Sequence, residues 1–121
     1  MLGITDFVSL SGNPIVGSSW ESFVFNQVTA LKSQYIDVFF YRIHQGTEVD
    51  LVFTKGLTIV ATAEIKYSNS PHLTKGNFQA FDDLNAPMNF VITPSSDHYL
   101  FKERIRICSL KAFIVNYLPN L

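Results

Sequence analysis

The spacing of apolar residues predicts helices and strands in alternation along the chain. From Ser18 onward, apolar residues recur at intervals of three and four, which is typical of one helix face and predicts a helix of about four turns ending near residues 33–34. Ser18 and Glu21 have the spacing of a capping box at the start of this helix. Glycine and proline punctuate residues 1–17, so we expect an irregular lead-in there.

Three segments rich in β-branched and aromatic residues follow, separated by short connections that contain glycine. We expect them to form antiparallel hairpins over residues 37–43, 48–53 and 57–67. The later periodicity predicts a helix over residues 75–84, strands over 89–93 and 105–108, and a last helix capped by Ser109. The order αβββαβ, followed by a strand and a helix, predicts an α/β fold in which helices flank a central mixed sheet.

Composition limits the class of protein. Hydrophobic residues make up 47% of the 121 residues, which predicts one globular domain with a core at residues 18–93 and a C-terminal strand and helix at 94–121. The single cysteine has no partner for an internal disulfide, and no apolar run approaches the roughly 18 to 20 residues of a membrane helix. We therefore expect a soluble, cytoplasmic protein with no membrane partner. The net charge of −1 excludes a broad cationic field, so nucleic-acid binding has to be local or metal-assisted.

Two neighbouring predicted strands each carry acids on one face. Strand alternation places Glu48 and Asp50 together, with residues 49, 51 and 53 on the opposite face, and it places Glu64 on the same face as Lys66. Asp50 lies opposite Glu64 only if the connection between the strands has an odd length or one strand contains a bulge, because a tight two-residue turn sends the acids to opposite faces. We therefore predict such a loop or bulge.

Paired carboxylates of this kind favour a bound cation. Two carboxylates about 4 Å apart in a groove repel each other by roughly 1 to 4 kcal/mol. A hard divalent cation, Mg²⁺ or Mn²⁺, relieves that repulsion and keeps water ligands, and Lys66 adds a positive charge beside it. This combination suits hydrolysis of a phosphodiester, with the cation polarising the phosphate and acidifying a bound water while Lys66 orients that water or stabilises the transition state.

The ordered set of motifs resembles a known superfamily. Asp50 and then Glu64-Ile65-Lys66, between a helix with Glu21 and a helix with Gln79, resemble the PD-(D/E)xK nucleases, which have the restriction-endonuclease-like fold. More closely, the chain is similar to the DUF4143 domain that follows a nucleotide-binding module in prokaryotic AAA+ ATPases; the segments that carry this likeness are VGSSWESFV (16–24), YR (41–42), EVDLV (48–52) and EIKYS (64–68). The chain has no GxxxxGK[ST] run, so it carries no ATPase motif of its own.

The resemblance implies roles for individual residues and partners. Asp50 and Glu64 would be metal ligands and catalytic groups, Lys66 the catalytic lysine, Glu21 a further metal-binding acid, and Gln79 an accessory residue on the second helix. It implies a Mg²⁺- or Mn²⁺-dependent nuclease acting on nucleic acid, DNA foremost. The same resemblance implies an ATPase module in cis or in trans, with this chain as the C-terminal part of a larger ATPase, and a homodimer as one mode of action.

Other interpretations of the same residues stay open at this stage. Glu21 can complete a capping box with Ser18. Glu48 either borders the site as an accessory acid or pairs with a neighbour such as Arg42. Gln79 can be an exposed helix residue. Glu64 and Lys66 would then form an ordinary solvated strand face. The corresponding alternative function is a nuclease-like fold that does not cut and serves an AAA+ ATPase as a module binding nucleic acid or protein.

Overall fold

The computed structural model describes residues 14–43, 46–68, 71–94, 99–102 and 104–121. The regular elements are α1 (Pro14–Leu31), β1 (Asp37–Arg42), β2 (Glu48–Lys55), β3 (Thr58–Ile65), α2 (Lys75–Leu84), β4 (Asn89–Thr93), β5 (Tyr99–Lys102), β6 (Ile105–Ser109) and the short helix α3 (Leu110–Ala112). A π-helical turn at Phe113–Tyr117 and a 3₁₀ turn at Leu118–Asn120 continue α3. None of the helices in these described ranges has the length and apolar character needed to cross a bilayer.

The strands form one mixed sheet in the order β1-β2-β3-β4-β6-β5. β2 is antiparallel to both of its neighbours, β1 and β3. β4 runs parallel to both β3 and β6, and β5 forms the far edge, antiparallel to β6. The prediction of an α/β fold with a mixed sheet between helices is therefore confirmed.

Separate apolar clusters bury the two faces of the sheet. Val24 and Val28 of α1 and Phe113 of the C-terminal helical turns pack against one face, where the rings of Phe90 and Phe113 lie 5.1 Å apart in an edge-to-face arrangement. Ala80 and Phe81 of α2 pack against the other face. The sheet is thus enclosed between α1 and the C-terminal segment on one side and α2 on the other.

Some predicted boundaries hold and others do not. The bounds of α2 and β4 are those predicted. Helix α1 begins at Pro14, so the prediction of an irregular lead-in fails for residues 14–17, because proline is readily accepted in the first turn of a helix. The remainder of that lead-in, residues 1–13, lies outside the described residues. Strand β5 was not predicted, and its four side chains are all exposed.

The predicted register between β2 and β3 is present. The pairs run from Leu51 opposite Ala63 to Phe53 opposite Ala61, which is the alignment that brings Asp50 level with Glu64. A bulge after Phe53 supplies the required shift, because the turn itself contains only two residues between Lys55 and Thr58.

The predicted alternation along β2 is wrong at one step. Leu51 belongs to the cluster on the α1 side of the sheet, whereas Val49 belongs to the cluster on the α2 side, although both were expected on one face. The pairing of β2 with β1 also shifts here, between Phe39 and Tyr41. Asp50 lies at this irregularity, between Val49, which faces α2, and Leu51, which faces α1.

Candidate functional site

The acids of β2 and β3 meet where the strands stop pairing. The last backbone pair is Leu51 with Ala63, and beyond it carboxylates accept the strand N–H groups. The Asp50 backbone N–H donates to Glu64 Oε1 at 3.1 Å, and the Ile65 N–H donates to Asp50 Oδ2 at 2.9 Å. Each carboxylate is therefore held in place by the backbone of the opposite strand.

Two further donors contact the buried carboxylate of Glu64. Lys66 Nζ lies 3.2 Å from Glu64 Oε2, and Asn77 Nδ2 donates to the same oxygen at 2.9 Å. Asn77 also donates to the Glu48 carbonyl at 3.0 Å, so one side chain ties α2 to both acid-bearing strands. Glu64 is 5% exposed, which makes this network a largely dry one.

Asn77 is the site residue that sequence reasoning missed. It forms a capping box with Thr74, in which the Asn77 N–H donates to Thr74 Oγ1 at 3.1 Å and the Thr74 N–H donates to Asn77 Oδ1 at 3.1 Å. Ala80 and Phe81, three and four residues later, are buried on the same helix face. The sequence did contain a signal for this role: Asn77 is a polar residue on an apolar helix face, and it follows Thr74 at the spacing of a capping box.

Helix α1 contributes to the site from the opposite side of the sheet. Trp20 Nε1 donates to the Lys66 carbonyl at 3.1 Å, which fixes the end of β3 against the helix. Glu21, the next residue, borders a groove of about 330 Å³ whose other lining residues are Ser22, Phe25, Asn26, Asp50, Leu51 and Ile65. Ser18 lies inside α1, so the interpretation of Glu21 as a capping-box residue is wrong.

The electrostatics of the site favour a positive charge. Burial, and then the proximity of Asp50, raise the pKa of Glu64 to about 8, while Lys66 opposes the shift. Burial and Asp50 also raise the pKa of Glu21. Glu21 and Asp50 thus line one groove, and the Lys66 ammonium group lowers the pKa of both Glu21 and Glu64. Within the described ranges, no group of three or more histidine, cysteine or acidic side chains is already arranged as a metal site.

The two accessory candidates lie at different places. Glu48 forms an exposed ion pair with Arg42, in which Nε lies 2.9 Å from Oε2, as its alternative interpretation anticipated. Its side chain still borders a groove of about 240 Å³ that Asp50 also lines. Gln79 is exposed and donates from Nε2 to Asp83 Oδ1 at 2.8 Å, so the structure brings Asn77, and not Gln79, to Glu64.

Comparisons with known proteins give one family and a few relatives. The family described as "Domain of unknown function (DUF4143)" matches residues 16–113. Uncharacterized proteins of Mycobacterium tuberculosis (Rv2008c) and Mycobacterium bovis (Mb2031c) are each 29% identical over 106 residues, which is 87% of this chain and 23% of theirs. The chain therefore spans about a quarter of the length of these relatives.

A solved assembly is similar in outline. It is the complex of Thermococcus gammatolerans McrB AAA+ hexamers with bound McrC, and the likeness has a TM-score of 0.47 at 12% sequence identity. It covers 77% of this chain and 27% of the chain in that assembly.

Proposed function

The chain belongs to the DUF4143 family, and we propose that it is a metal-dependent nuclease domain that hydrolyses phosphodiester bonds in nucleic acid, DNA foremost. One observation carries the proposal. Asp50 and Glu64 converge where β2 and β3 separate, and Lys66 Nζ lies 3.2 Å from Glu64. The ordered Asp50 and Glu64-Ile65-Lys66 set of the PD-(D/E)xK nucleases supports it as a resemblance.

The donor set fits Mg²⁺ or Mn²⁺. Asp50 and Glu64 offer hard carboxylate oxygens, and Glu21 adds a third from across the groove. Mg²⁺ is commonly held by only one or two protein carboxylates together with water and substrate phosphate, so a site without three preformed ligands is compatible with this cation. When bound, the cation would polarise a phosphate oxygen and lower the pKa of a water ligand.

The chain's own residues would orient the reaction. Lys66 is held from two sides, by Glu64 at its ammonium group and by Trp20 at its carbonyl, so its charge has a defined position beside the carboxylates. From there it would orient the attacking water or stabilise negative charge that develops on the phosphate. Asn77 acts as a positioning residue, since it touches Glu64 and the strand backbone.

Metal-dependent cleavage tests the proposal. Purified protein is incubated with single- and double-stranded DNA and RNA in Mg²⁺, Mn²⁺ or EDTA. We expect cleavage that needs the cation and is lost in Glu64→Ala, with circular dichroism confirming that the variant folds. Glu48→Ala is the matched control, because Glu48 is a nearby acid that pairs with Arg42 at the surface. Absence of metal-dependent cleavage by the folded wild type would contradict the proposal.

A second candidate is a module that does not cut and accompanies an AAA+ ATPase. The net charge of −1 favours it, because binding of nucleic acid by a nuclease that acts alone draws on phosphate contacts from lysine and arginine. The resemblance to DUF4143 domains that follow nucleotide-binding modules supports an ATPase partner under either candidate. A folded wild type that binds nucleic acid or an ATPase module and shows no turnover with Mg²⁺ or Mn²⁺ would establish the second candidate.

A further inference from the structure

Two exposed phenylalanines border the grooves that meet at Asp50. Phe40 is 75% exposed and lines the groove between β1 and β2, and Phe25 is 45% exposed and lines the groove beside α1. Asp50 is common to both grooves. The candidate catalytic acid therefore lines one groove with each of two accessible aromatic side chains.

We propose that Phe25 and Phe40 form a base-stacking surface that selects single-stranded nucleic acid at this site. The inference rests on the proposed function for the identity of the ligand and adds to it the substrate class. Unpaired bases present a flat face to an aromatic ring, and such stacking tolerates any sequence. In a duplex the base faces are covered by neighbouring base pairs, so only the backbone and base edges are available.

The charges around the site support the same choice. Arg42 forms an ion pair with Glu48, and Lys66 Nζ lies 3.2 Å from Glu64 Oε2, so each of these positive side chains lies beside an acidic residue. Lysine and arginine contacts to phosphates supply essentially all of the non-specific binding of a duplex, whereas binding of a single strand also draws on stacking of its bases on aromatic side chains. A chain with a net charge of −1 has little of that attraction, which leaves stacking and a bound cation as the sources of affinity.

The neighbouring Phe39 provides a matched control. It is 56% exposed, so its removal changes the exposed apolar surface by a similar amount. It pairs with Val52, which belongs to the cluster on the α2 side, whereas Phe40 lines a groove with Asp50. Side chains of paired residues share a face of the sheet, so Phe39 lies on the α2 side, and it lines neither of the two grooves that contain Asp50.

Fluorescence anisotropy measures the binding directly. The probe is a fluorescein-labelled DNA of roughly 12 nucleotides, within the range of single-strand site sizes, alone or annealed to its complement. The protein carries Lys66→Ala so that the strand is not cut, and the buffer contains Mg²⁺. We expect tighter binding of the single strand than of the duplex. Phe40→Ala and Phe25→Ala should each weaken single-strand binding by roughly 5- to 100-fold, and Phe39→Ala by less than about twofold.

Several outcomes would overturn the inference. These are tighter binding of the duplex than of the single strand, unchanged single-strand affinity in Phe40→Ala, or an equal loss of affinity in Phe39→Ala. A Phe40→Ala variant that changes only the protein's mass in light scattering would show instead that the surface contacts a second copy of the chain. Metal-dependent cleavage that Phe40→Ala and Phe25→Ala leave unchanged would preserve the proposed function and refute the stacking surface. Single-strand binding that needs both phenylalanines in a protein without turnover would support the surface and refute the nuclease.

Discussion

Replacement of Glu64 by glutamine tests whether the site holds unfavourable negative charge. Glu64 is 5% exposed, and burial together with Asp50 raises its pKa from 4.5 to about 8. Between these values the folded protein keeps a proton on Glu64 that the unfolded chain has released, so the free energy of unfolding falls as the pH rises. When the folded protein binds one more proton than the unfolded chain, the free energy of unfolding falls by about 1.4 kcal/mol per pH unit. The wild type should therefore lose up to about 4 kcal/mol of stability between pH 5 and pH 8.

Glutamine is uncharged throughout this range, so the loss should disappear in Glu64→Gln. We expect the variant to be less stable than the wild type by about 1 kcal/mol near pH 5, because an amide cannot accept every hydrogen bond that the carboxyl group accepts. Near pH 8 it should be more stable by about 2 to 3 kcal/mol. Urea unfolding in EDTA measures both values, with Glu48→Gln as the exposed control. Parallel pH dependence of the wild type and Glu64→Gln would refute the reasoning.

Three further predictions concern packing and reactivity. Gly76→Ala should lower the free energy of unfolding by about 1 to 3 kcal/mol although alanine favours helices, because the added Cβ would overlap the Gly46 carbonyl; a stabilised variant in urea unfolding would contradict this contact. Asn77→Ala should lower the free energy of unfolding by about 1 to 3 kcal/mol in the same assay and reduce cleavage, because Glu64 loses a buried hydrogen-bond donor. Unchanged stability would show that the hydrogen bond between Asn77 and Glu64 is dispensable. Burial raises the pKa of the Cys108 thiol to about 12, so a thiol reagent at pH 8 should label it only after unfolding, and rapid labelling of the native protein would show that it is accessible.

The elements with strong local signals were predictable. Helix α2 has a threonine cap at Thr74 and ends at Asn85, whose φ of 47° is the left-handed conformation that terminates helices. The register of β2 against β3 was predictable for another reason. The requirement that Asp50 lie level with Glu64 fixed the parity of the alignment, and the bulge after Phe53 satisfies it.

The features that sequence reasoning missed depend on contacts between distant residues or on exposed surface. The change of face along β2 accompanies a shift in its pairing with β1, which no local pattern encodes. Strand β5 has four exposed side chains, so it lacks the alternation that marks a half-buried strand. The role of Asn77 arises only when α2 packs on the sheet and brings its amide to Glu64.

Cleavage by a matched pair of lysine variants tests the central claim most directly. Lys66→Ala removes the ammonium group 3.2 Å from Glu64, whereas Lys55→Ala removes an exposed one at the other end of the β2–β3 hairpin. The account predicts that Mg²⁺-dependent cleavage of DNA falls by at least about 100-fold in Lys66→Ala, consistent with the loss of one transition-state contact, and is unchanged in Lys55→Ala. Equal activity of the two folded variants, or no cation-dependent cleavage by the wild type, would contradict it.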